Sequence, residues 1–195
     1  MRITSGDLRG RRLEAPPGHA VRPTSERARA ALFDVLVHRF QGDGRFALAG
    51  ATVLDACAGT GALGFEALSR GAAEVVFLER DAALTRALTR RARDWGVAGA
   101  VHVLTGDVTR PPARPADRAP PTLVLLDPPY GAGLAGPALA ALDAAGWLAP
   151  GALCVVETAR TEPFDAPPGF APCDDRSHGR VRLRILRRAD GGPDG

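Results

Sequence analysis

The chain has 195 residues, 45% of them hydrophobic, which suits one compact core with a small extension. No apolar run is long enough to span a bilayer, and no signal-like segment follows Met1-Arg2, so a cytoplasmic location is expected. The 25 basic residues are all Arg and the net charge is only +3, which excludes a strongly polycationic chain and leaves the placement of the charges as the informative feature.

Residues 1–22 read as a short β-hairpin extension. Segments 2–5 and 11–14 are strand-like, and Gly6-Asp7 and Gly10 offer turns. Arginines crowd this start (Arg2, Arg9, Arg11, Arg12, Arg22, Arg27, Arg29) and the end (Arg180, Arg182, Arg184, Arg187, Arg188). Arg pairs well with phosphate, so two basic ends fit an anionic partner such as nucleic acid. A GC-rich genome and plain solvated faces account for the same composition. Pro23 opens a helix, with Thr24 or Ser25 as its cap. Ala28, Ala31, Leu32, Val35 and Leu36 form its apolar stripe, and Arg27 and Arg29 lie off it and can face outward.

From residue 51 strands and helices alternate. Strands are expected at 52–55, 75–78, 101–104, 123–126 and 153–156, and helices at 61–69, 82–95 and 139–145. Strands that are apolar throughout and separated by helices imply an α/β, Rossmann-like fold with a doubly wound, mostly parallel sheet. Over 180–185, Val181, Leu183 and Ile185 alternate with Arg, which reads as a half-exposed antiparallel strand near a sheet edge at the C-terminal end. Segment 109–121 is a Pro-rich loop, and 189–195 is expected to be a disordered tail. The expected organisation is thus an extension over 1–22, a main domain over 23–188 and a tail. Cys57, Cys154 and Cys173 are too widely spaced for a zinc or disulfide framework and read as small apolar residues; no metal is expected.

The segment Asp55-Ala56-Cys57-Ala58-Gly59-Thr60-Gly61-Ala62-Leu63-Gly64 follows a strand and opens a helix. Its glycines permit a tight turn and close approach of a ligand to the backbone. It contains G-x-G-x-x-G, so a nicotinamide dinucleotide is one reading and a turn that only packs strand on helix is another. Asp55 would face a pyrophosphate with the wrong charge, and the chain is short for a separate substrate domain. A carboxylate there suits the cationic sulfonium and amino group of S-adenosyl-L-methionine better. Glu79, about twenty residues on at the next strand end, is placed to bind ribose hydroxyls. Asp107, ending the third strand, can accept from an adenine amino group, or can be a loop cap. Cys57, Ala58, Gly59 and Gly61 in the turn, and Arg80 and Val108 beside the two strand ends, complete the expected cofactor rim.

Leu123-Val124-Leu125-Leu126 delivers Asp127-Pro128-Pro129-Tyr130 to the same rim. An exocyclic base amine is a poor nucleophile, because its lone pair is delocalised into the ring. The Asp127 carboxylate and the Pro128 carbonyl can accept its N–H groups and orient it; Pro128 and Pro129 stiffen the turn, and Tyr130 offers a face for stacking. Alignment is then the main contribution to transfer, and the base must be unstacked to enter. Cytosine-C5 methylation needs a Cys nucleophile that this turn lacks, and ribose methylation commonly uses a Lys, of which the chain has none. An amino nitrogen of adenine, guanine or cytosine remains.

On these residues the sequence resembles the RsmD family of bacterial 16S rRNA guanine-N2 methyltransferases. The resemblance spans nearly the whole chain: Arg2-Ile3-Thr4-Ser5-Gly6, then Leu8-Arg9-Gly10-Arg11-Arg12-Leu13, then Arg22-Pro23-Thr24-Ser25-Glu26-Arg27-Ala28-Arg29 leading to Leu32-Phe33. It continues through the run from Asp55 to Gly71, the Asp127-Pro128-Pro129-Tyr130 turn and Gly146-Trp147-Leu148. The Arg-Pro-Thr segment is the most family-specific; Ala30 departs from a Glu often found there. The resemblance implies a methyltransferase domain with an RNA-contacting N-terminal hairpin, acting on N2 of one guanine in the 16S rRNA of the small subunit or its assembly precursor. It implies that Asp55, Gly59, Gly61, Glu79 and Asp107 hold S-adenosyl-L-methionine, and that Asp127, Pro128 and Tyr130 hold the guanine. Arg9, Arg11, Arg12, Arg22 and Arg27, with Thr24 in the same segment, would contact rRNA. A monomer is expected. Two rivals stay open: a DNA adenine-N6 methyltransferase using the same turn, and a noncatalytic RNA-binding assembly factor.

Overall fold

The computed structural model of the chain describes residues 1–16, 25–40 and 44–191. One seven-stranded sheet organises it, with β1 (Thr52–Ala56), β2 (Glu74–Glu79), β3 (Val101–Thr105), β4 (Leu123–Leu126), β5 (Leu153–Ala159), β6 (Phe170–His178) and β7 (Val181–Arg188) in the order β3-β2-β1-β4-β5-β7-β6. The first five strands pair in parallel, and β7 runs antiparallel between β5 and β6. β1, β2, β4 and β5 are buried at nearly every position, as strands covered on both faces must be. Alternate residues feed two layers. Val53, Val75, Phe77 and Leu125 pack under α2 (Ala62–Ser69) and α3 (Ala82–Asp94), whereas Leu54, Val76, Val124 and Val156 pack under α4 (Ala135–Ala144) and the fully buried Trp147.

In place of the expected strands at 2–5 and 11–14, the N-terminal segment forms a hairpin held by one isolated antiparallel bridge, and residues 17–22 of the expected extension lie outside the described residues. Arg2 bridges Arg12, and the Ile3 N–H donates to the Arg11 carbonyl at 3.0 Å. Its Ile3, Leu8 and Leu13 are buried in the same layer as α2 and α3. α1 (Glu26–Val35) is capped by Ser25, whose side chain accepts from the Ala28 N–H at 3.1 Å, and continues as a π-helical turn over Leu36–Phe40. Pro23 and Thr24 lie outside the described residues.

The inner face of α1 differs from the expected stripe. Arg29, Leu32, Phe33 and Leu36 are the buried set, spaced i, i+3, i+4, i+7, whereas Ala28, Ala31 and Val35 are only half-buried. Arg29 therefore does not face outward: it is fully buried and pairs with Glu66 of α2 at 3.1 Å. Arg27 does face solvent.

The C-terminal end also differs. β6 carries no clear apolar alternation (Cys173-Asp174-Asp175-Arg176-Ser177) and was not foreseen; it is held by its ladder to β7. With β6 on its outer side, β7 is not half-exposed through its middle: Leu183, Arg184, Ile185 and Leu186 are all buried. Arg184 is accommodated by a 2.8 Å bond to Thr158 Oγ1 and by lying 5.0 Å over the Phe164 ring. Beyond β7, the Ala189 N–H donates to the Gly169 carbonyl at 2.8 Å and Asp190 pairs with Arg45, so these first residues of the expected tail are bonded to the body. Residues 192–195 lie outside the described residues. The Pro-rich loop is anchored by Trp147 Nε1 donating to the Pro112 carbonyl at 2.9 Å.

Candidate active site

The chain winds from β1 through β2 to β3 on one side of the sheet, then crosses to β4 and β5 on the other. Ligands bind beyond the carboxyl ends of strands at such a reversal. β1 and β4 are direct neighbours, with Asp55 opposite Leu125 and Ala56 opposite Leu126. The next residues in each strand, Cys57 and Asp127, therefore leave the sheet side by side. Between them opens a cleft of about 550 Å³. Asp55, Cys57, Ala58 and Gly59 line one wall, and Asp127, Pro128, Pro129 and Tyr130 the other. Glu79 and Arg80 from the end of β2, and Asp107 and Val108 beyond β3, also line it.

Asp55 is 2% exposed, and its Oδ2 accepts the Gly64 N–H at 2.8 Å. Among the described residues no cationic side chain pairs with it. Burial pushes its carboxyl up to about 8, against the Gly64 bond and with help from the nearby Glu79. Glu79 accepts the Gly59 N–H on Oε2 and the Asp81 N–H on Oε1, both at 2.9 Å, which fixes the glycine turn to the end of β2. Asp81 in turn caps α3 through the Ala83 and Leu84 N–H groups. Asp107 is exposed on the rim. Its Oδ1 accepts from Thr109 N and Oγ1, each at 2.8 Å, which holds the carboxyl below the usual range.

Cys57 adopts φ +62°, and its thiol is pushed up to about 12 by burial and by the surrounding carboxylates Glu79, Asp127 and Asp55. It is protonated at neutral pH and is no nucleophile. Gly61 does not line the cleft. It sits at φ +78° as the cap of α2, where a Cβ would come within 2.5 Å of Leu88 and 2.9 Å of Phe65, so its role in the turn is conformational and steric.

On the opposite wall Pro128 is buried and Tyr130 half-buried. The Tyr130 hydroxyl donates to Glu157 Oε1 at 2.5 Å. Glu157 is 2% exposed near the end of β5.

The family model described as Conserved hypothetical protein 95 matches residues 1–187. Ribosomal RNA small subunit methyltransferase D of Haemophilus influenzae is 31% identical over 191 residues, covering 96% of this chain and 93% of that protein. The chain belongs to the RsmD family. The solved structure of yhhF from Escherichia coli is 31% identical, covers 98% of this chain and 99% of that one, and matches with a TM-score of 0.78. An RNA methyltransferase from Salinibacter ruber, solved with S-adenosyl-L-homocysteine, shares the fold at a TM-score of 0.62 with 19% identity, covering 89% of this chain and 98% of that one. The fold is thus the Rossmann-like fold of methyltransferases.

Within this RsmD-family chain, the hairpin arginines Arg9, Arg11 and Arg12 are exposed, as is Arg27 on α1, and none makes an ion pair among the described residues. Arg22 and Thr24 lie outside the described residues. Sequence reasoning missed Glu157, Met1 and several further lining residues, among them Thr60, Asp81, Leu84 and Gly106. Glu157 stood at a strand end, but its partner lies 27 residues earlier. Met1, which also lines the cleft, reaches it only because the hairpin folds back onto α2.

Proposed function

We propose that this chain transfers a methyl group from S-adenosyl-L-methionine to the exocyclic N2 of a guanine in the 16S rRNA of the small ribosomal subunit. The observation that carries this reading is the single cleft shared by the glycine turn after β1 and the Asp127-Pro128-Pro129-Tyr130 turn after β4. The name of the Haemophilus influenzae relative supports the rRNA substrate.

The bound cofactor would supply an electrophilic methyl group on a cationic sulfonium. The residues present fit it: Asp55 is a buried carboxyl group that accepts a backbone N–H and has no cationic partner among the described residues, and its preference for a neutral form is relieved by a cationic ligand. Glu79 has lone pairs beyond those taken by Gly59 and Asp81 and can accept ribose hydroxyls. Asp107 and Val108 close the adenine end, with Arg80 alongside.

Across the cleft, Asp127 and the Pro128 carbonyl accept the N–H groups of the guanine amine, and Tyr130 stacks against the base. Holding the amine in line with the methyl turns a bimolecular encounter into an aligned one. The carboxylate of Asp127 is the acceptor beside the amine for the proton that nitrogen loses. Arg9, Arg11, Arg12 and Arg27, with Arg22 and Thr24, contact the rRNA backbone.

Incubation with methyl-labelled cofactor and either small subunits or duplex DNA tests the reading. Label is expected in 16S rRNA, recovered as N2-methylguanosine after digestion. Label confined to DNA, or to N6 of adenine, overturns it, and label nowhere supports an assembly factor without catalysis.

A further inference from the structure

The segment that follows the catalytic turn is Gly131-Ala132-Gly133-Leu134, leading into α4. Leu134 at the helix cap supplies no capping side chain. The exposed Gly131 and the exposed Gly133 have φ of +71° and +62°, and no atom stands within 4 Å of where a Cβ would sit at either. Their glycines therefore answer a backbone conformation, not a close neighbour. That conformation turns both N–H groups toward one carboxylate. Glu162 Oε2 accepts from Gly131 at 2.9 Å, and Oε1 accepts from Gly133 at 3.1 Å. Glu162 Oε2 also accepts from the Ala159 N–H at 3.3 Å, at the end of β5. Converging backbone N–H groups around one anion make a stiff, directional clasp.

We propose that Glu162 is a positioning residue for the catalytic turn. One carboxylate, from the loop just after β5, ties the backbone just after Tyr130 to the end of that strand, while Glu157, five residues earlier and within β5, holds the Tyr130 side chain. The turn is anchored at its start by the β4 ladder and at its end by this clasp. Asp127 and the Pro128 carbonyl are thereby fixed at the cleft wall before substrate arrives. Burial pushes the Glu162 carboxyl up, but the Gly131, Gly133 and Ala159 N–H groups and nearby Arg184 outweigh it and keep the group ionised. The inference rests on the reading that Asp127 and Pro128 hold the amine.

The test compares wild type, Glu162→Ala, Glu162→Gln, Glu162→Asp and Asp127→Ala in the full chain. Cofactor affinity is measured by calorimetry, kcat and KM on small subunits, and amide exchange over 131–134 by mass spectrometry. Glu162→Ala is expected to lower kcat about 100-fold, the cost of misplacing a reacting group by about 1 Å. Cofactor Kd should stay within threefold and exchange over 131–134 should accelerate at least tenfold. Glu162→Gln, which keeps one acceptor oxygen, should fall between Glu162→Ala and wild type. Glu162→Asp should recover part of the slow exchange and of kcat together. Unchanged kcat in Glu162→Ala and Glu162→Gln while Asp127→Ala is inactive overturns the proposal alone. Wild-type kcat in Asp127→Ala overturns the parent reading instead. If Glu162→Ala does not fold, Glu162→Gln decides: kcat and exchange moving together with cofactor Kd unchanged support positioning, and loss of cofactor binding in proportion to kcat overturns it.

Discussion

Glu66 gathers four donors: Thr4 N at 2.9 Å, Thr4 Oγ1 at 2.5 Å, Arg29 Nε at 3.1 Å and Arg70 Nε at 2.9 Å. Arg29 also donates to the Arg2 carbonyl. This is a satisfied buried network, so breaking it on one side is far costlier than replacing it whole. Glu66→Ala leaves the Arg29 guanidinium buried without its carboxylate and should cost about 3–5 kcal/mol in urea unfolding. The double variant Arg29→Met/Glu66→Leu should recover most of that loss. A single-variant cost under about 1 kcal/mol would show that water replaces the partner. Burial raises the Glu66 carboxyl, but these bonds outweigh it and lower it below its ordinary 4.5. Its contribution is thus complete above that value and lost as pH falls through the lower, folded one. Asp55 has the opposite sign. With a folded value of about 8 against an ordinary 3.8, it binds a proton in the folded chain that the unfolded chain has lost, so its stability contribution declines as pH rises across that window. A cationic ligand favours the carboxylate, so cofactor binding near pH 7 should release up to one proton. Calorimetry in two buffers of different ionisation enthalpy measures this. Asp55→Asn should abolish the release and weaken binding roughly 10- to 100-fold, the worth of a charge-assisted contact.

At the scale of elements, what could be read in sequence depended on whether an element's neighbours share its pattern. The strand at 123–126 was bounded correctly because Leu123-Val124-Leu125-Leu126 is apolar throughout and ends in Asp-Pro-Pro. The two turns that line the cleft were equally readable as turns, since each is a short contiguous motif, Asp55 to Gly64 and Asp127 to Tyr130. β6 was not, because its residues are polar and its strand character comes from pairing with β7, with Arg182 held bidentately by Asp175. Arg29 was misplaced for a related reason: Ala28 and Ala31 mimic an apolar stripe, and only the Glu66 carboxylate on a facing helix shows which side of α1 is inward. The N-terminal hairpin offers a prediction of its own. Arg11 and Arg12 are exposed and carry no ion pair among the described residues, so their cost should fall on RNA alone. Arg11→Ala plus Arg12→Ala should weaken rRNA binding and reduce the slope of log K against log salt by about 1.4, or about 0.7 per lost phosphate contact on single strands. A filter-binding salt series with an unaltered slope would make these residues ordinary solvated surface.

For the molecule as a whole, the parallel order β3-β2-β1-β4 does what no single motif can: it sets the two turns on adjacent strands and so on one rim. The hairpin, read in sequence as an appendage, is joined to that arrangement. Ile3, Leu8 and Leu13 are in the core, and the Leu8 N–H donates to Ser69 Oγ at 2.9 Å. Arg91 of α3 donates both to the Thr60 carbonyl in the glycine turn, at 2.8 Å, and to the Glu14 carbonyl, at 2.7 Å. Three buried aliphatic side chains contribute about 1.5–3 kcal/mol each. Their sum is comparable with the whole stability of a typical domain, about 5–15 kcal/mol. Deleting residues 2–14 should therefore not yield a well-folded enzyme that merely lacks RNA affinity. The truncated chain should melt at least 10 °C lower in calorimetry and bind S-adenosyl-L-methionine at least tenfold more weakly, because the glycine turn loses its bracing through Arg91. If melting temperature and cofactor affinity both survive the deletion, the hairpin is a detachable module, and coupling between it and the glycine turn through the shared core is ruled out.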